Sequence, residues 1–255
     1  MKNNFKVLML LGVVLIGVIL IKGISKEGSS TSKDFIGKIF PGSEIKTQEN
    51  PYRYKIASKD YFIKKVSIGT HDFLVIFRNE TSYSSTYSIY NFGNPTRLIQ
   101  IESIPASVAE EALSKNLQIK DITGDGLAEF IFKIFTTGKG QNAYNILRLK
   151  NDSNLEIMTI GEWSTENKSD IIMFDTIKYK NQNVVITVHD LDVRSMLSYK
   201  IEGNSLIPST SITFKLTDRT KGDEYEITRT IKNQEPQVIG TKKGNIWIDS
   251  FEPYE

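Results

Sequence analysis

Apolar residues fall into three regimes along the chain. Val7 to Ile21 is an unbroken apolar run, preceded by Lys2 and Lys6 and closed by Lys22. From Tyr52 onward the dominant period is two, as in Tyr52-Arg-Tyr-Lys-Ile56 and, less cleanly, Tyr61 to Val66. That period predicts strands with one buried face. One segment breaks it: Pro105 to Asn116 is rich in Ala, Glu and Leu and predicts a short helix near 105–116, with Ser103 or Ser107 as its cap.

The first run has the character of a secretion segment, with a basic start and an apolar core. As a helix its 15 residues span about 22 Å, and Lys22 can snorkel so that Gly23 and Ile24 lengthen the span. No Ala-x-Ala-like cleavage site follows, which favours an uncleaved signal anchor over residues 1–24, with contact to the membrane through residues 7–24. The bulk of the chain then lies outside the membrane in a single-pass arrangement, and secretion after cleavage is the alternative. Residues 25–33 are small and polar and read as a flexible tether. The folded part is expected over 34–255.

Within it the strand pattern recurs. Units near 66–101, 119–160 and 174–207 each read as strand, loop, strand, tight Asn/Gly turn, strand, at a spacing of about 55 residues. A poorer unit falls near 223–250. Any antiparallel meander is self-similar in this way, so a duplication and a plain meander both fit. Either gives an all-β protein of antiparallel strand repeats, propeller-like or a partial propeller, with a β-sandwich as the alternative.

Composition narrows the function classes. With 32 basic and 30 acidic residues, no global field draws the chain to nucleic acid. The absence of cysteine removes disulfides, thiolate metal sites and a Cys nucleophile. Two histidines and no Gly-x-Ser-x-Gly leave a nucleophilic triad without support. His71-Asp72 and His189-Asp190-Leu-Asp192 sit where strands meet turns, and solvated turns explain them. Tyr83, Tyr87, Tyr90 and Phe92 suit either a ligand platform or ordinary strand packing, and packing is the better expectation.

The densest chemistry lies in Asp121-Ile-Thr-Gly-Asp-Gly-Leu-Ala-Glu129, followed by the strand-like Phe130-Ile-Phe-Lys-Ile-Phe135. Asp121, Thr123 and Asp125 offer side-chain oxygens at alternate positions, Leu127 a backbone carbonyl, and Glu129 a closing carboxylate. A hard cation such as Ca²⁺ takes six to eight oxygens at about 2.3–2.6 Å from such a loop. Gly124 and Gly126 supply the backbone freedom. The same residues also suit a metal-free turn in which Asp121 and Asp125 accept backbone N–H bonds.

An EF-hand does not fit, because its twelfth-position Glu falls on Phe132 and a strand follows. A ligand at position nine before a strand instead resembles the calcium loops of FG-GAP and VCBS repeats, found in integrin-type β-propellers and bacterial surface proteins. Thr136-Thr-Gly-Lys-Gly-Gln-Asn142 and Tyr144-Asn-Ile-Leu147 extend the likeness. Thr123 and Glu129 depart from the usual Asn/Asp and Asp, and the neighbouring units lack the acids, so one site is expected. The resemblance implies one structural Ca²⁺ in a non-catalytic extracytoplasmic protein that binds a protein or carbohydrate partner. The alternatives are a hydrolase or lyase with unidentified acids, or an accessory subunit of an envelope complex.

Overall fold

Period-two patterning becomes three open sheets laid down in chain order. The computed structural model describes residues 28–244 apart from 93, 107–110, 139, 152–153, 164–166, 191–192 and 221. The anchor expected over 1–24 lies outside the described residues. Among those described, no helix is long and apolar enough to cross a membrane.

The described chain begins with helix α1 (Gly28–Ile39). Residues 28–33 are therefore helical, which corrects the tether expected over 25–33. The cause is tertiary. Phe35 and Ile36 are buried against Ile56, Tyr61, Ile63, Leu74 and Ile76 of the first sheet. Burial of an apolar stripe outweighs the weak helix tendency of the Gly/Ser start. Pro41 and Gly42, the latter at φ 73°, turn the chain out of the helix.

The first sheet is a six-stranded meander: β1 (Ile45–Thr47), β2 (Arg53–Ile56), β3 (Lys59–Ile68), β4 (His71–Asn79), β5 (Ser85–Asn91) and β6 (Arg97–Ser103). The helix expected over 105–116 is reduced, among the described residues, to a single π-type turn at Glu111–Lys115. Ser103 does not cap it: that residue ends β6, and its hydroxyl donates to the Lys133 carbonyl.

The second sheet runs β7 (Leu117–Lys120), β8 (Glu129–Thr136), β9 (Asn142–Asn151) and β10 (Asn154–Ile157). The chain then gives β11 (Thr159–Gly161) and β12 (Lys168–Ser169) to the third sheet, and returns β13 (Ile172–Met173) to β9 beside β10. The third sheet continues with β14 (Thr176–Lys180), β15 (Asn183–Asp190), β16 (Val193–Glu202), β17 (Ser205–Asp218), β18 (Glu224–Ile231) and β19 (Gln237–Lys243). All pairings are antiparallel except β11 beside the start of β17.

The first expected repeat falls on the end of β3 and on β4–β6, the second on β7–β11, and the third on β14 to the start of β17. The fourth does not form its own unit within the described residues, because β18 and β19 extend the third sheet.

The sheets stack in sequence order, with the second in the middle. On β8, Phe130 and Phe132 join Phe73, Phe77 and Tyr87 of the first sheet, while Ile131 joins Ile177, Val184 and Ile186 of the third. A strand buried on both faces needs apolar residues at consecutive positions. That is why Phe130-Ile-Phe132 loses the alternation, as Phe73 to Phe77 of β4 also does. The aromatic contacts are specific: the Phe73 and Phe130 rings meet edge-on at 5.5 Å, and Tyr87 lies 4.7 Å from Phe132.

Candidate metal centre

The three central hairpins close differently. In the first sheet β3 and β4 are joined by Gly69-Thr70, and in the third β14 and β15 by Asn181-Gln182, whose φ values of 49° and 65° are those of a type I′ turn. Only β7 and β8 are joined by a long loop, Asp121 to Ala128. An anchor in each core holds it. Ile122 is fully buried between the second and third sheets, and Leu127 packs against the core between the first and second. The loop therefore straddles the end of the middle sheet.

Neighbours from both sides fix it further. The Leu127 side chain lies over Gly69, where a Cβ would come within 2.9 Å of it. Tyr179 of β14 lies over Gly124, where a Cβ would run into the ring. The Lys120 ammonium donates to the Ile177 carbonyl of β14. Arg148 of β9 donates to the Gly203 carbonyl at 3.0 Å, in the turn between β16 and β17.

Asp121, Asp125 and Glu129 each offer a carboxylate oxygen within 4.8 Å of the other two. Three carboxylates so placed can hold a metal ion. Their internal bonds are extensive. Asp121 Oδ1 accepts the Gly124 N–H at 2.6 Å and the Thr123 N–H at 3.2 Å, and its Oδ2 accepts the Gly126 N–H at 3.0 Å. Asp125 Oδ1 accepts the Leu127 N–H at 2.8 Å. Glu129 accepts the Ile122 N–H at 2.8 Å and the Thr123 hydroxyl at 2.9 Å. These Asx-type bonds shape the loop and leave carboxylate lone pairs over. Gly124 and Gly126 adopt φ of 72° and 87°, as the sequence predicted.

Electrostatics separate the acids. Glu129 is 1% exposed, and burial pushes its carboxyl up to about 7, aided by the charges of Asp125 and Asp121 and opposed by the bonds from Ile122 and Thr123. Burial also pushes Asp125 up, but Arg148, the Leu127 N–H and Thr123 together hold it below the ordinary carboxylate range. Arg148 lies 2.6 Å from Asp125 and 3.8 Å from Glu129. With all three acids ionised, one guanidinium leaves two negative charges, which matches a divalent cation in sign and number.

Asp121, Asp125 and Glu129 are thus brought together, and the Thr123 hydroxyl donates to Glu129 while its oxygen keeps lone pairs of its own. Arg148 was missed by sequence reasoning. It lies 23 residues from Asp125, and no local pattern ties it to the loop.

The other candidates disperse. Tyr87 is buried between the first two sheets, Tyr90 and Phe92 pack beneath α1, and Tyr83 is 92% exposed, so the four aromatics make no platform. Asp72, the counterpart of Glu129 in the first sheet, is paired with Lys65 at 2.6 Å and accepts from Ser67. The side chains of His189 to Asp192 lie outside the described residues.

No family model matches the chain, and no curated protein matches it. Among solved structures, one described as "Structure of a Xanthomonas Type IV Secretion System related protein" is similar at 13% identity and a TM-score of 0.40, over 78% of this chain and 98% of that one. A likeness of that size assigns neither fold nor role.

Proposed function

We propose that this chain is a non-catalytic extracytoplasmic recognition protein, held at the membrane through residues 7–24, with one structural Ca²⁺ in the Asp121–Glu129 loop. The observation that carries this reading is the convergence of Asp121, Asp125 and Glu129 at the end of the middle sheet. On it, the three meanders are blades of a propeller-like FG-GAP/VCBS scaffold, and a single blade keeps its metal. Asp121, Asp125 and Glu129 supply carboxylates, and the Leu127 carbonyl is the backbone ligand that the resemblance implies. Ca²⁺ suits the loop better than Mg²⁺, because carboxylates and a carbonyl set in an irregular loop favour the larger and less regular shell. The ion's work is positional: it neutralises a charge cluster that sits where a loop grips two cores. The surfaces of the stack that α1 does not cover are left for a protein or carbohydrate partner.

The test is thermal unfolding of the full chain with excess Ca²⁺, with excess Mg²⁺ and with chelator. A ligand at about 100 times its dissociation constant stabilises the native state by about 2.7 kcal/mol. The expected result is a clear rise in Tm with Ca²⁺, a smaller one with Mg²⁺, and none with either in Asp121→Asn. Equal melting in Ca²⁺ and chelator overturns the metal assignment. Protease protection on intact cells tests the location: a domain cleaved from outside supports it, and a fully protected one refutes it.

A further inference from the structure

The face of the third sheet that points away from the second carries its own cavity. Val184, Ile186, Tyr199 and Leu206 point toward the second sheet, so their neighbours Val185, Ser198 and Lys200 point away from it. In register, Lys200 stands opposite Ile207, Ser198 opposite Thr210, Thr210 opposite Ile231, and Ile212 opposite Arg229. A bulge at Ser198/Tyr199 keeps these residues on one face of the curved sheet. Ser198, Lys200, Ile207, Thr210, Arg229 and Ile231 line a cavity of about 460 Å³, a size at which small organic ligands are held.

Its chemistry is one-sided. Arg229 is half-buried, and its Nε is buried without a hydrogen bond among the described residues, so it has a donor to offer. Neither Arg229 nor Lys200 pairs with a carboxylate among the described residues, and they stand on either side of the Ser198–Thr210 row. Ser198, which lines the cavity, is 5% exposed, and its backbone carbonyl is taken by the Ser209 hydroxyl. Lys232 completes the rim, its ammonium held by the Glu162 and Trp163 carbonyls at 2.7 and 2.9 Å. Glu202 is the single acidic residue lining the cavity, against three basic ones. Ile207, Pro208 and Ile231 give an apolar wall.

We propose that this bowl binds a small ligand bearing a phosphate group. Guanidinium donors match the geometry of phosphate oxygens, hydroxyls add neutral donors, and the apolar wall takes the organic part of an ester. The ligand supplies acceptors for Arg229 that the protein does not. The same group can come from a free phosphate monoester or from a phosphodiester within a polymer. This inference does not rest on the metal loop, and either stands if the other fails.

The test is calorimetric titration of the full chain with glycerol 1-phosphate, with the diester bis(glycerol) phosphate, with glycerol and with succinate. Saturable binding of a phosphate ester is expected at a dissociation constant of about 1 mM or tighter, with none for glycerol. Arg229→Gln and Lys200→Gln are each expected to weaken it about tenfold or more, and Lys59→Gln, at the exposed start of β3, to leave it unchanged. Lys200 is exposed, so its variant reports even where Arg229→Gln does not fold. Preference for the monoester indicates a free ligand, and equal or tighter binding of the diester a polymer-borne one. No binding of either ester, equal binding of succinate, or wild-type affinity in both variants overturns the proposal.

Discussion

At the scale of the residue, two substitutions probe the Asp121–Glu129 loop and its counterpart in the first sheet. Gly124 sits at φ 72° beneath the Tyr179 ring, so Gly124→Ala meets two penalties. A left-handed backbone costs an L-residue about 1–2 kcal/mol, and overpacking against the ring adds about 1–3 kcal/mol. Chemical denaturation is expected to show both losses in the single variant and only the backbone share in Gly124→Ala with Tyr179→Ala. Full additivity would show that the ring is not the obstacle. The second probe is Asp72. Hydrogen bonds from Lys65 and Ser67, then the Lys65 charge, hold its carboxyl below the ordinary value. A lowered folded-state value means that the contribution to stability is present at neutral pH and is lost as pH falls below the usual Asp value. In Lys65→Gln, NMR titration should move the Asp72 midpoint upward, and an unmoved midpoint would remove the pairing from the explanation. Both groups of the pair are more than a third exposed, so the effect on overall stability is small. The glycines and acids of the loop were legible because their spacing is local. The partners Arg148 and Tyr179 were not, because they arrive from β9 and β14.

At the scale of the element, β8 separates this stack from a two-layer sandwich. Ile131 and Phe132 are adjacent in sequence, and both are fully buried, in different cores. Truncating either to Ala is expected to cost about 2–5 kcal/mol, read from the shift in denaturation midpoint. In a sheet with one solvated face, one of the two would change stability by only about 0.5 kcal/mol. The strand was legible from its aromatic and β-branched content, and its double burial follows from the unbroken run. Helix α1 was less legible. Its Gly and Ser residues read as a tether in isolation, and the surface that Phe35 and Ile36 cover is assembled from strands that follow them.

At the scale of the whole molecule, stacking order sets a gradient of protection. The second sheet is shared by two cores, whereas β1 and β19 lie at the ends of their sheets, with Val238 63% exposed. Native-state hydrogen exchange is expected to be slowest in β8 and β9 and fastest in β1 and β19. Equal exchange in β8 and β19 would contradict the layered arrangement. The gradient also gives the loop its leverage: it sits at the end of the most protected sheet, with Ile122 in one core and Leu127 in the other.

By itself the sequence determined the antiparallel strand class, the succession of short strands and turns, and the closeness of the acids Asp121, Asp125 and Glu129. Each of these rests on local spacing: period two, turn residues at set offsets, and oxygens at alternate positions. Tertiary structure alone decided what comes together across the sheets. It set Arg148 beside the acids, laid Tyr179 over Gly124, recruited residues 28–33 into a helix, and gathered Lys200 and Arg229 around one cavity. Those neighbours are fixed by packing between segments far apart in the chain, and local patterning carries no record of it.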